Sequence, residues 1–173
     1  MNKSFEWKYV WQFFLLLAVQ VLLLQKISLW GFLSPMLYLL FILTLPFHTP
    51  RWLTVLSGFA IGFAVDCFTG VPGLHAAATT LIAFMRPLII NIIPYSGTVE
   101  EHQLPTLWDM HIGWFAGYAL LSSFIHQFCI FFLDGFSLAN FFHLVWISLA
   151  NSIFTTIVML IAQGLFYNSS KRY

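Results

Sequence analysis

Asp66 stands in the middle of GFAIGFAVDCFTGVPGLHAA, residues 58–77, a run otherwise dominated by apolar and small residues. A carboxylate in such a place can hold a fold feature, bind an ion or small ligand, or meet a partner chain. Whichever it does must offset a cost of about 2.5–3.5 kcal/mol for an aspartate at the centre of a membrane helix. Other residues with chemical potential are sparse. Arg86 is a basic residue inside an apolar segment, His126 and His143 are isolated, and Cys67 and Cys129 stand alone. Two cysteines with no partner spacing read as small buried hydrophobes. Glu100, Glu101, His102, Asp109 and His111 share one hydrophilic stretch, residues 96–111, a mixture that in principle can bind a metal. Their spacing fits no metal template, so an acidic cytoplasmic loop with turns at Pro94 and Pro105 is the plainer reading. There is no Ser-His-Asp order with a nucleophile elbow, no HExxH, no phosphate loop and no pair of intramembrane carboxylates. The sequence therefore offers no reaction and implies no cofactor.

The elements that position these residues belong to a lipid-solvated chain. Of 173 residues, 60% are hydrophobic and 8% charged, with a mean hydropathy of +0.87. A soluble domain carries about 25% charged residues, so a water-facing surface cannot be covered here. A net charge of +1 provides no basic patch to neutralise phosphates, which excludes nucleic acid as a partner.

A spanning helix needs about 20 mainly apolar residues. Six stretches qualify: 9–24, 29–47, 52–69, 74–95, 112–133 and 142–167. Gln25-Lys26 ends the first, Pro46 and His48-Thr49-Pro50-Arg51 end the second, and Gly70-Val71-Pro72-Gly73 makes a tight turn after the third. Asp134-Gly135 follows the fifth. Lys3 and Lys8 before an apolar run have the shape of a secretion signal, but no small-x-small cleavage site follows, and a retained first span is expected. With the N-terminus inside, Lys3, Lys8, Arg51, Lys171 and Arg172 lie on the inner side against Lys26 outside. That bias predicts an N-in, C-in layout, with Trp7, Trp30, Trp52 and Trp108 in the interfacial belts. The expected fold is a single all-α domain of six transmembrane helices, in contact with the lipid bilayer throughout.

Gly58, Gly62, Asp66 and Gly70 recur every four residues and share one helical face, with Ala60 and Ala64 on an adjacent face. Small residues at that spacing let two membrane helices approach closely. The expected depth of Asp66 is about 6 Å from the Gly70 turn, at 1.5 Å per residue. There it can accept hydrogen bonds from the free N–H groups at the Gly73-Leu74-His75 helix start. A turn-fixing role is thus set beside a partner contact and an ion site. Arg86 lies about 14 Å deeper, too far to pair with Asp66. It is expected to snorkel inward or fill a polar pocket in the bundle. Ser148, Asn151, Ser152, Thr155 and Thr156 share one face of the sixth span, followed by Gln163. Such residues, like Gln20 and Gln127, glue helices together or line a cavity.

With Pro35, Arg51, the Gly58/Gly62/Asp66/Gly70 register, Pro72-Gly73 and the small residues Ala76 to Ala78 in hand, the chain resembles the MreD family of bacterial rod shape-determining membrane proteins. The size and the six-span layout are similar to that family. The resemblance implies a multi-pass protein of the cell inner membrane, a non-enzymatic scaffold for cell shape and peptidoglycan synthesis. It would link the single-pass MreC, the MreB filament, a RodA-type glycosyltransferase and a class B penicillin-binding protein. The family's fold is similar to the substrate-binding subunits of energy-coupling-factor transporters, and a vitamin-binding subunit is the main alternative. Gly58, Gly62, Asp66, Gly70, Pro72 and Gly73 are then the packing and partner face. Arg86, Ser148, Asn151, Ser152 and Thr155 are the intramembrane polar set.

Overall fold

In the computed structural model of the chain, the described residues are 3–24, 33–95, 103–135 and 141–166. The elements among them are helices: α1 (Lys3–Leu22), α2 (Leu39–Leu43), α3 (Arg51–Thr69), α4 (Leu74–Ile92), α5 (Leu107–Met110), α6 (Ile112–Gly135) and α7 (Phe141–Phe166). Four of them, α3, α4, α6 and α7, are long and apolar enough to cross a membrane. At 1.5 Å per residue the 19 residues of α3 extend about 28 Å, close to the hydrocarbon thickness of about 30 Å. The apolar part of α1, Trp7–Leu22, is shorter. The elements of the described residues are therefore all helical, and four of them have the length and composition of a multi-pass membrane protein's spans.

Turn chemistry sets the helix ends. Pro50 is the N-cap of α3, where its missing N–H costs nothing. Gly70 ends α3 in the left-handed region at φ 72°, its N–H bonded to the Asp66 carbonyl at 3.0 Å. Gly73 precedes α4 at φ 87°. Only glycine takes such angles without strain, so the two glycines reverse the chain within four residues.

The expectation of a spanning helix at 29–47 is corrected for its described part, and residues 29–32 lie outside the described set. From residue 33 the chain is not helical until Leu39, and α2 is five residues long. Pro35 is the cause at one end, since it lacks an N–H and forces the residue before it out of the helical region. Pro46 closes the other end. The run between them, MLYLLFILTL, is apolar on every side, and Leu37 to Leu43 are all buried. An element with no polar face belongs in the centre of a bundle.

Around this central segment α3 packs on α4, α4 on α6, and α6 on α7, while α1 reaches the bundle through α3 and α2. Exposed Phe59, Phe63, Phe84, Phe142, Trp146, Ile153 and Ile157 line the outside, as a lipid solvent requires. The reading of both cysteines as buried is also corrected. Cys67 is exposed and Cys129 half-buried, both on outward-turned positions where lipid accepts a thiol as readily as a methyl group.

Candidate functional site

Asp66 is 3% exposed and its side chain uses both oxygens. Oδ2 accepts the Gly73 N–H at 3.1 Å and the Ala76 N–H at 2.9 Å. Oδ1 accepts the His75 N–H at 2.9 Å and the His75 ring at 2.8 Å. A carboxylate only accepts, so His75 Nδ1 carries the proton of that bond. The free N–H groups of the α4 start thus find their partner across the turn, with the helix dipole favouring the negative charge. Thr69 Oγ1 donates back to the carbonyls of Val65 and Asp66, so the last turn of α3 is also bonded.

Gly58 and Gly62 sit directly under α4. A Cβ at Gly62 would lie 2.6 Å from the Ala76 Cα and 2.6 Å from the His75 carbonyl oxygen, and would also collide with Thr79 Oγ1. At Gly58 it would meet Ala83 Cβ at 2.8 Å and the Thr79 carbonyl oxygen at 2.9 Å. The glycine face is therefore filled by this chain's own α4, while Gly70, Val71, Pro72 and Gly73 remain exposed.

The non-helical backbone before α2 is held by side chains of other elements. Gln20 on α1 donates to the Pro35 carbonyl at 3.0 Å and accepts the Leu37 N–H at 2.7 Å. On α7, Asn151 Oδ1 accepts the Ser34 N–H at 2.9 Å, and Thr155 Oγ1 accepts the Met36 N–H at 3.3 Å. Away from water each unpaired backbone group costs several kcal/mol, so irregular backbone survives at membrane depth only where protein satisfies it. Ser148, Ser152 and Thr156 instead donate to carbonyls of α7 itself. Gln163 accepts the Leu107 N–H at 2.7 Å and ties the α5 stretch to the bundle.

Arg86 does the same work past the end of α2. Its guanidinium donates to the carbonyls of Leu45 and Pro46, and Nε donates to the Tyr118 hydroxyl at 3.1 Å. It fills a polar pocket, is 4% exposed, and is remote from Asp66 in its bonding. The planar fork of donors suits an arginine to converging carbonyls better than a lysine.

Three participants escaped the sequence reading. His75 is the side-chain partner of Asp66. Tyr38 faces His75 edge-on with ring centroids 6.0 Å apart and shares a 3.0 Å hydrogen bond with His126 Nε2. Tyr118 receives Arg86. A buried polar chain thus runs Asp66–His75–Tyr38–His126 from the turn into α6. Beside it, Ser122 Oγ, Ser123 Oγ, His126 Nδ1 and Gln127 Oε1 are buried without a hydrogen-bond partner. His143 is exposed and joins none of this.

Of the acidic stretch, Glu100, Glu101 and His102 lie outside the described residues. Thr106 caps α5, its Oγ1 accepting the Asp109 N–H at 3.4 Å, while Asp109 Oδ2 accepts the Leu104 N–H at 3.2 Å, and Thr106 and Met110 are buried against the bundle. Among the described residues no group of three His, Cys, Asp or Glu side chains is placed to hold a metal ion. No family model, curated protein or solved structure matches this chain.

Proposed function

We propose that the chain is a non-enzymatic scaffold of the bacterial cell-elongation machinery, of the MreD kind, with six spans and both termini inside. In this reading it sits in the cytoplasmic membrane and links an MreC-like single-pass protein to a RodA-type glycosyltransferase and a class B penicillin-binding protein. The MreB filament is reached on the inner side. One observation carries the reading. The Gly70–Gly73 turn is clamped from within by the Asp66 carboxylate and stays exposed along its whole length. A turn already rigid before contact loses little entropy on binding, which favours recognition of its shape. Because α4 covers Gly58 and Gly62, the contact with a partner helix moves from the glycine face to this turn and the flank beside it.

A second reading, the substrate-binding subunit of a vitamin transporter, draws on Ser122, Ser123, His126 and Gln127. A buried polar atom without a partner costs about 1–3 kcal/mol, and a polar ligand between α6 and α7 would satisfy several at once.

A detergent pull-down of the tagged chain from its native membrane, with mass spectrometry of proteins and small molecules, separates the two. Recovery of an MreC-like protein with wall synthases is the expected result. Recovery of an ATPase pair and a bound vitamin would overturn the scaffold reading in favour of the second.

A further inference from the structure

Tyr38, in the central segment, meets three other elements. On α1, Gln20 Oε1 accepts its N–H at 3.4 Å and the Leu37 N–H at 2.7 Å. On α6, His126 Nε2 shares a 3.0 Å hydrogen bond with its hydroxyl. On α4, the His75 ring stands edge-on to its own at an interplanar angle of 69°. His75 in turn holds Asp66 Oδ1 at 2.8 Å, and Asp66 holds Gly73, His75 and Ala76 across the turn. A continuous line of bonds and ring contact therefore runs from α1 to the turn. Tyr38 and His126 are fully buried and His75 and Asp66 nearly so, and close-packed interiors pass a displacement on rather than absorb it.

The bilayer fixes α1 least among the long helices. Its apolar part, Trp7–Leu22, covers about 24 Å at 1.5 Å per residue, short of a hydrocarbon thickness of about 30 Å. It packs on α3 and on the central segment. From residue 33 to 38 that segment has no helical ladder, so the place where α1 sits decides where Gln20 holds Leu37 and Tyr38.

We propose that the seating of α1 regulates the Gly70–Gly73 turn through Tyr38, a positioning residue for His75 and thereby for the Asp66 clamp. With α1 seated, Tyr38 is pinned between Gln20 and His126 and backs the His75 ring onto the carboxylate. With α1 displaced, Tyr38 follows the central segment, His75 loses the ring behind it, and the turn loosens. As regulation this rests on the turn being the recognition element, whereas the coupling itself is a property of the isolated chain.

The test is amide hydrogen exchange of the full chain in lipid nanodiscs, resolved by residue with NMR. Tyr38→Phe keeps the ring and removes the bond to His126. Exchange at Gly73, His75 and Ala76 then rises about fivefold, the equilibrium effect of one hydrogen bond, and the His75 Nδ1–H resonance shifts. Gln20→Leu raises the same three amides, and the double variant raises them by less than the product of the two, because both act on one line. If Gln20→Leu fails to fold, Gln12→Leu serves in its place, since Gln12 ties α1 to Thr44 at 2.6 Å. Met159→Ala, which empties a buried site on α7 outside the line, leaves the three amides at their original rates. Unchanged exchange at these amides in Tyr38→Phe or in the α1 variant, or an equal rise in Met159→Ala, would overturn the proposal. No partner is present in this measurement, so a turn that meets no partner in the membrane overturns the scaffold reading and leaves the coupling standing.

Discussion

Replacing Asp66 by asparagine leaves one acceptor oxygen where the turn uses two, and turns an amide NH₂ against N–H groups that need an acceptor. Asp66→Asn is therefore expected to cost about 2 kcal/mol, and Asp66→Leu, which strands every donor, about 4 kcal/mol. Thermal unfolding in detergent reads both, and equal losses would point to a role for the charge itself. Gly62→Ala drives a methyl group into α4 backbone and is expected to cost about 2–3 kcal/mol. Ala60→Leu, on the exposed side of the same helix, is expected to cost nothing measurable in the same assay. Two of the three backbone partners of Asp66, Gly73 and His75, were legible in the sequence, because Gly70-Val71-Pro72-Gly73 forces a tight reversal and brings a helix start over the preceding helix end. Ala76, which bonds where Leu74 was expected to, was not. The His75 side chain was not either. Its ring is placed by a turn geometry that residue spacing alone does not reveal, although a histidine two residues past a turn glycine is within reach of such a carboxylate.

Elements defined by their breaks were readable. Pro50, the Gly70–Gly73 turn and Asp134-Gly135 mark the ends of α3, α4 and α6 to within a few residues. The central segment was not, because overall apolar length was counted as one span. Pro35 and Pro46 leave ten residues between them, about 15 Å as helix, half of what a bilayer needs. Once the segment is broken, the polar residues of α1 and α7 acquire a purpose that helix–helix glue does not describe. Gln20 and Asn151 stand in for the missing ladder. Gln20→Leu leaves the Pro35 carbonyl and the Leu37 N–H unpaired and is expected to lower stability by about 2–3 kcal/mol. Ser148→Ala, whose hydroxyl donates only to a carbonyl of its own helix, is expected to stay within about 0.5 kcal/mol. A reversed order in thermal unfolding would mean that the central segment is not held this way.

For the whole molecule, the buried polar groups mostly bind backbone, and the outer surface is left for lipid and for partners. Composition alone made the membrane setting plain, since 8% charged residues cannot clothe a soluble surface. Which surface a partner reads was not legible, because glycines at four-residue spacing serve an internal neighbour and an external one equally well. The folded chain assigns them to α4, and the central claim becomes that the Asp66-clamped turn is the recognition element. Photo-crosslinking in native membranes tests it most directly, with benzoylphenylalanine placed at Val71 and, as a control, at exposed Leu165 near the opposite end of the bundle. The account predicts an adduct with an MreC-like single-pass protein from position 71, weakened in an Asp66→Asn background and absent from position 165. An adduct from position 71 that Asp66→Asn leaves untouched, or the same adduct from position 165, would contradict it.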